Sequence, residues 1–231
     1  MRHIPMRRMV IIFLVSGIIR AAVGAEILTA NKPRETADVG LDRNALSEPG
    51  TVPIGGPFEL INGKGETVTN EDFGQKYLLV YFGYTYCPDV CPTTLADIDQ
   101  TLDLLGGNAD LVQPLFISVD PDRDTPKVVG EYVKAFDERI VGLTGTKQQI
   151  QKVAKEFRVT YNKVSSESYN SDQPSGEVPD KPLGDDYLVS HSGVTYLTSP
   201  DGEYITHFQY GTSPKEMAKA IEAAIDQFGR P

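Results

Sequence analysis

Residues Tyr77 to Pro92 read YLLVYFGYTYCPDVCP and join a nearly continuous apolar run to the only two cysteines of the chain. The run from Tyr77 to Tyr84 is typical of a strand that is buried on both faces in a mostly parallel sheet. Cys87 and Cys91 follow this strand directly and precede a segment with a helical pattern. The sequence therefore predicts a functional site with soft, redox-active ligands at a strand-to-helix junction.

Elements of alternating β and α character surround this junction. Asn62-Gly63 separates two short β-prone runs and predicts an opening hairpin. Apolar residues at helical spacing predict helices over residues 93–105, 126–136, 146–158 and 213–228. Short apolar runs predict further strands over residues 115–119, 140–143, 188–197 and 204–208. This succession predicts an α/β fold with a central mixed sheet flanked by helices and an N-terminal β-hairpin extension.

The first 25 residues have the layout of a secretory signal peptide. Three arginines in the first eight residues precede an apolar stretch over residues 9–19, and small residues follow up to Ala25. The stretch is shorter than the roughly 20 apolar residues of a spanning helix. We therefore expect cleavage after Ala25 and export to the periplasm. An N-terminal anchor in the inner membrane and a mitochondrial presequence leading to the intermembrane space are the alternatives.

The rest of the chain divides into a linker and one domain. Residues 26–50 lack a sustained hydrophobic period and predict a flexible linker, so the folded domain is expected over residues 51–231. Within it, residues 165–186 form a long acidic stretch. We expect this stretch to be a solvated loop, or one that gates the site or docks a partner.

The chain is acidic. Its formal net charge is −10, and removal of residues 1–25, which contain four arginines and no acidic residue, would change it to −14. This charge excludes nucleic acid as an expected partner. The acidity either provides solubility or steers the domain toward a basic or cationic partner, and it favours a monomer.

The spacing of Cys87 and Cys91 allows two chemical states. Sulfurs four residues apart can form a disulfide or bind one metal ion. A disulfide that closes so small a loop would stabilise the fold by only roughly 2 kcal/mol. The N-terminus of the following helix would stabilise a thiolate, the form that attacks disulfides and binds metals. The pattern therefore favours a reactive or metal-binding pair over a structural disulfide.

A third ligand must come from one of three histidines. His3 is removed with the signal peptide, and His207 lies in the last predicted strand, where we expect a surface or packing role. His191 lies at the exit of the acidic loop and can reach a neighbouring strand-to-helix turn. Two thiolates and one imidazole are a ligand set that suits copper.

Carboxylates at alternate positions follow the second buried strand. Asp120, Asp122 and Asp124 approach the spacing of a calcium-binding loop, but Thr125 stands where such a loop has glycine. We instead expect Thr125 to cap the next helix with Pro126 as its first residue, and Asp122 and Asp124 to favour the helix dipole. Asp120, at the end of its strand, is a candidate for orienting the copper site.

Five motifs, in this order, resemble the Sco/SenC family of copper-binding cytochrome c oxidase assembly proteins. They are YFGYTYCPDVCPTTL, SVDPDRDTP, GLTG, DYLVSHSGVTYL and PDGEY, and the resemblance covers about residues 50–228. It implies a thioredoxin-like fold in a domain that faces the periplasm or the intermembrane space. It also implies one copper ion, Cu(I) or Cu(II), bound by Cys87, Cys91 and His191.

Two departures from the family pattern stand out. Family members commonly carry an acidic residue just before the histidine, where this chain has Ser190. Many members are also membrane-anchored, whereas this apolar segment is short. The first departure concerns the support of His191 and the second concerns membrane association through the N-terminal segment.

The resemblance implies one of two activities. The first is a metallochaperone that receives copper from a donor protein and delivers it to the dinuclear centre of cytochrome c oxidase subunit II. The second is a thiol-disulfide oxidoreductase that reduces the cysteines of that centre, with Cys87 and Cys91 as the redox-active pair. The need for His191 distinguishes the two activities, because copper retention requires this histidine and thiol exchange does not.

Overall fold

The computed structural model describes residues 53–165 and 187–230. The predicted signal peptide, the predicted linker and residues 166–186 of the acidic loop lie outside the described residues. The described strands are β1 Glu59–Asn62, β2 Thr67–Thr69, β3 Tyr77–Gly83, β4 Val112–Ser118, β5 Val141–Thr144, β6 Tyr161–Ser165, β7 Tyr187–His191, β8 Val194–Thr198 and β9 Tyr204–Gln209. The described α-helices are α1 Val90–Leu105, α2 Pro126–Lys134, α3 Lys147–Glu156 and α4 Pro214–Phe228, and two 3-10 helices cover Asn70–Phe73 and Gly106–Leu111.

In these residues, seven strands form one sheet, the main sheet, in the order β2-β1-β5-β4-β3-β8-β9. Strand β3 is parallel to β4, β4 is parallel to β5, and the remaining pairs are antiparallel. All seven residues of β3 are buried, which confirms its prediction as a central strand. The mixed sheet and its N-terminal hairpin, β1 and β2, are also as predicted.

Helices cover the main sheet. Helix α1 packs against α4, whereas α2 contacts β5 and β1. The backbone of α2 packs directly on the backbone of the opening hairpin's turn. A Cβ atom on Gly63 would lie only 2.6 Å from the Cα atom of Gly130. The loops that follow the carboxyl ends of β3 and β4 carry the candidate functional residues.

The start of α2 agrees with the predicted capping chemistry, and α4 has a further cap. Thr125 accepts a hydrogen bond from the Val128 N–H group, and Pro126 is the first helical residue of α2. Ser213 and Glu216 form a capping box at the start of α4. Helix α1 begins at Val90, three residues earlier than predicted, so Cys91 lies in its first turn.

The predicted strand over residues 188–197 is wrong. The structure divides it into β7 and β8, which are separated by Ser192-Gly193 and belong to different sheets. Strand β8 joins the main sheet, whereas β7 pairs with β6, a strand that the sequence analysis missed, in a two-stranded sheet that we call the β6–β7 hairpin. The β-prone residues run on through both strands, so the sequence pattern does not indicate that β7 and β8 pair with different strands.

Candidate metal centre

Two cysteines and one histidine meet beyond the carboxyl end of β3. Cys87 lies in the loop between β3 and α1, Cys91 in the first turn of α1, and His191 at the end of β7. Their ligand atoms all lie within 4.8 Å of one another, and the Nε2 atom of His191 is 3.4 Å from the Sγ atom of Cys91. Both cysteines are free thiols. Cys91 is buried, whereas Cys87 and His191 are half-buried, so the group opens to the surface on the Cys87 side.

The position of Cys91 depends on Gly83, the last residue of β3. A Cβ atom on Gly83 would lie 2.8 Å from the Sγ atom of Cys91 and 2.7 Å from the ring of Phe116. The phenol of Tyr81 donates a hydrogen bond to the same sulfur over 3.4 Å. The first turn of α1 therefore packs on the strand at the place where a side chain is missing.

Neighbouring groups orient the ring of His191. Its Nδ1 atom lies 3.2 Å from the carbonyl oxygen of Ser192. When Nδ1–H donates to this carbonyl, the lone pair of Nε2 points toward the sulfurs, as a metal ligand requires. The rings of Tyr84 and Tyr81 meet the imidazole edge-on at centroid distances of 5.8 and 6.2 Å. A backbone carbonyl thus supports the histidine, while Ser190 is exposed.

The pKa values of the two thiols are shifted in opposite directions. A hydrogen bond from the Cys91 thiol, then one with the His191 side chain, and then the N–H groups of Asp89 and Cys91 hold the pKa of Cys87 well below its usual 9.0. The pKa of Cys91 is raised, first by its hydrogen bond to Cys87 and then by burial. One proton is therefore shared within the pair, with the thiolate on the accessible sulfur.

The arrangement can hold a metal ion. Among the described residues, Cys87, Cys91 and His191 are the group of histidine, cysteine or carboxylate side chains close enough to bind one. The family model described as SCO1/SenC matches residues 47–226, most of the chain. This chain belongs to the SCO1/SenC family.

Individual relatives agree with the SCO1/SenC assignment. The chain is 37% identical over 204 residues to the mitochondrial protein SCO1 homolog of Homo sapiens, covering 87% of this chain and 62% of that protein. It therefore spans less than two thirds of the length of this relative. Its structure is similar to Arabidopsis thaliana ScoI with copper bound, at 38% identity and a TM-score of 0.64, covering 75% of this chain and 99% of that one.

A third similarity concerns the fold alone. The structure resembles BsSco, described as a member of the Sco family of cytochrome c oxidase assembly proteins, at 22% identity and a TM-score of 0.52. This match covers 75% of this chain and 96% of BsSco. Together these structures confirm the expected thioredoxin-like fold.

Asp124 is a site residue whose role the sequence analysis missed. Its sequence position before α2 predicts only an interaction with the helix dipole, but its buried carboxylate accepts hydrogen bonds from the Thr85 N–H group at 3.0 Å and the Thr85 hydroxyl at 2.6 Å. The hydroxyl of Ser118 donates to it at 2.5 Å. Asp124 therefore fixes the start of the loop that carries Cys87 in this SCO1/SenC chain. Asp122, in contrast, forms surface ion pairs with Lys147 and Lys163.

Asp120 contacts the strand that carries His191. Its buried carboxylate accepts hydrogen bonds from the hydroxyl of Tyr187 and from Nε of Arg123, each over 2.6 Å. Tyr187 begins β7, the strand that ends at His191, so any effect of Asp120 on the ligand would act through this strand. His207 is exposed beside Tyr204, as expected for a surface residue.

Two further expectations concern the membrane and the acidic loop. Over residues 53–165 and 187–230, no helix combines the length and apolar character needed to cross a membrane. The N-terminal segment that could anchor the chain lies outside this range, as does the acidic loop after Ser165.

The lowered pKa of Cys87 predicts selective alkylation. Iodoacetamide reacts with the thiolate, so labelling of the reduced protein should reach its maximum rate well below pH 9 and slow only as the pH falls through the lowered pKa. Mass spectrometry should find Cys87 labelled before the buried Cys91. Cys91→Ala lacks the thiol that donates to Cys87, so the pH at the midpoint of its rate profile should be higher than in the native protein. A native midpoint near pH 9 would contradict the geometry of the pair.

Proposed function

We propose that this SCO1/SenC chain binds one copper ion through Cys87, Cys91 and His191 and delivers it to the dinuclear copper centre of cytochrome c oxidase subunit II. The observation that carries this proposal is the position of two thiol sulfurs and one imidazole nitrogen within 4.8 Å of one another. Copper is the cargo of this reaction. The copper-bound structure of the Arabidopsis relative supports the choice of metal.

The ligand chemistry also favours copper. Thiolates are soft ligands, and Cu(I) is stable with two of them at low coordination number. An imidazole nitrogen adds a harder ligand that suits Cu(II). The same three side chains can therefore retain either oxidation state, while the half-buried Cys87 leaves one side of the ion open to an incoming ligand of the acceptor.

Delivery requires a defined location and partners. We propose an exported domain that faces the periplasm, with the alternatives of an inner-membrane anchor and of the intermembrane space. In this proposal, a donor protein supplies copper to a monomeric domain, and the cysteines of subunit II accept it. The description of Sco proteins as cytochrome c oxidase assembly proteins supports this partner.

Replacement of His191 tests the ligand set. His191→Ala should weaken Cu(II) binding by at least the about 10- to 100-fold that loss of a residue supporting a metal ligand costs. The matched control is His207→Ala, which removes an exposed histidine and should leave binding unchanged. Chelator competition on the reduced protein measures both variants. Equal Cu(II) affinity of His191→Ala and the native protein would rule out this three-ligand site.

A second function is favoured by the chemistry of the cysteine pair. The Cys87 thiolate would attack one sulfur of a target disulfide, forming a mixed disulfide and releasing the first target thiolate. Cys91, after losing its proton, would then attack the Cys87 sulfur, closing the Cys87–Cys91 disulfide and releasing the second target thiolate. The target gains two electrons and the pair loses two. His191→Ala should preserve this exchange, which distinguishes it from copper delivery.

A further inference from the structure

The ligands of the metal centre come from two separate pieces of the fold. Cys87 and Cys91 follow β3 of the main sheet, whereas His191 ends β7 of the β6–β7 hairpin. Ser192-Gly193 is the only link from His191 to β8 of the main sheet, so the distance between histidine and sulfur also depends on contacts between the hairpin and the main sheet. A residue that fastens these two pieces would control whether the third ligand is in place.

Arg123 makes such contacts on the hairpin side. Its NH1 group donates to the carbonyl oxygen of Tyr187 over 2.9 Å, and its guanidinium lies over the ring of Tyr187 at 3.7 Å from the centroid. Its Nε group donates to the buried carboxylate of Asp120 over 2.6 Å. Asp120 lies just beyond β4, so Arg123 joins the first residue of β7 to the end of a main-sheet strand.

Arg123 also contacts the segment that carries the cysteines. The carbon of its guanidinium lies 4.6 Å from the ring centroid of Tyr86 and 5.9 Å from that of Tyr84. Tyr86 directly precedes Cys87, and the ring of Tyr84 packs edge-on against His191. One planar cation therefore lies between the cysteine loop and the histidine strand, where cation–π attraction and directed hydrogen bonds act together.

Lys163 strengthens the same junction from the other strand of the hairpin. Its ammonium donates to the hydroxyl of Tyr187 over 2.9 Å and to Asp122 over 2.8 Å. That Tyr187 hydroxyl in turn donates to Asp120. Both strands of the hairpin are thus tied to the loop after β4, with Arg123 making the contacts nearest the cysteines.

We propose that Arg123 is a positioning residue, which clamps the β6–β7 hairpin to the cysteine loop and so keeps His191 within binding distance of the two sulfurs. The inference rests on the proposed copper site. Loss of the clamp removes the imidazole from the ligand set and leaves the two thiolates, so it weakens retention of Cu(II) more than that of Cu(I). Arginine is required because lysine lacks the planar, forked group that bonds and stacks at once.

Two measurements on Arg123→Ala test the clamp. In the metal-free protein, amide hydrogen exchange over β6 and β7 should be faster, while exchange in β3 and β4 should stay unchanged. In the copper-loaded protein, Cu(II) affinity should fall by about 10- to 100-fold, as for other residues that orient metal ligands. The thiolate-to-Cu(II) absorption should shift toward that of His191→Ala, and Cu(I) affinity should change far less.

Arg139→Ala is the matched control. Arg139 also pairs with carboxylates, those of Asp99, Asp103 and Asp137, but these contacts join α1 to the segment before β5. If Arg123→Ala does not fold, Arg123→Lys keeps the charge and should give the same two changes. Hairpin exchange and Cu(II) affinity equal to those of Arg139→Ala would overturn the clamp. Unchanged Cu(II) affinity in His191→Ala would overturn the copper site instead, and hairpin exchange would still decide the clamp.

Discussion

Replacing Cys91 by serine is expected to cause the largest loss of copper binding. Cys91 is fully buried, and its sulfur lies 3.4 Å from Nε2 of His191 and 3.4 Å from the hydroxyl oxygen of Tyr81. A hydroxyl is a poor ligand for Cu(I), which prefers soft sulfur. Cu(I) affinity should therefore fall by more than about 100-fold, beyond the usual effect of losing a supporting residue.

Cys87→Ser provides the comparison for this result. It should lose Cu(I) to a similar extent, because the pair supplies both soft ligands, but Cys87 is half-buried and its change should leave the fold intact. In Cys91→Ser, the new hydroxyl can still accept the hydrogen bond from Tyr81, so we expect a folded protein. Chelator competition and circular dichroism measure the two effects. Native-like Cu(I) retention by either variant would contradict a two-thiolate site.

Gly83→Ala is expected to cause a large loss of stability, and to disturb the candidate metal centre, through the addition of a single methyl group. The added methyl group would lie 2.7 Å from the Phe116 ring, 2.8 Å from the Cys91 sulfur and 3.2 Å from the Tyr81 ring. Overpacking of a buried site typically costs about 1–3 kcal/mol. Since the sulfur must move to relieve the contact, copper affinity should fall together with the free energy of unfolding.

Gly107→Ala is the control for this substitution. A Cβ atom on Gly107 would have no heavy atom within 4 Å, so the same chemical change meets open space. Denaturant unfolding should show little change for Gly107→Ala and a clear loss for Gly83→Ala. If the two variants are equally stable and bind copper equally, the contact of Cys91 with the end of β3 does not position the ligand.

Most of the fold could be predicted because its signals are local. The buried run of β3, the threonine and serine caps of α2 and α4, and the Asn62-Gly63 hairpin each lie within one short segment. The hairpin loop differs in detail, since Asn62 pairs with Leu143 of β5 and its side chain accepts from the N–H groups of Lys64 and Glu66. The division between β7 and β8 could not be predicted, because it depends on which distant strand pairs with each.

In the candidate site, too, the residues with local sequence signals could be predicted and those that depend on long-range contacts could not. Sequence spacing brings Cys87 and Cys91 together, and the small number of histidines points to His191. The groups that hold these ligands are remote from them along the chain: Asp124 bonds Thr85, and Arg123 contacts Tyr187. The Ser192 carbonyl that orients His191 is a backbone group, for which side-chain identity gives no signal. Tertiary structure is therefore needed to identify the support of the site.

The pairing of β3 with β8 has a consequence for the order of events in folding. Leu78 pairs with Thr198, about half the chain's length later, and contacts so distant form late because closing a long loop is entropically costly. Cys87 and Cys91 are close in sequence from the start. In an oxidising compartment, a disulfide or other two-electron oxidant can thus close the Cys87–Cys91 disulfide before His191 reaches the pair, and a chain oxidised in this way needs a reductant before copper can be loaded.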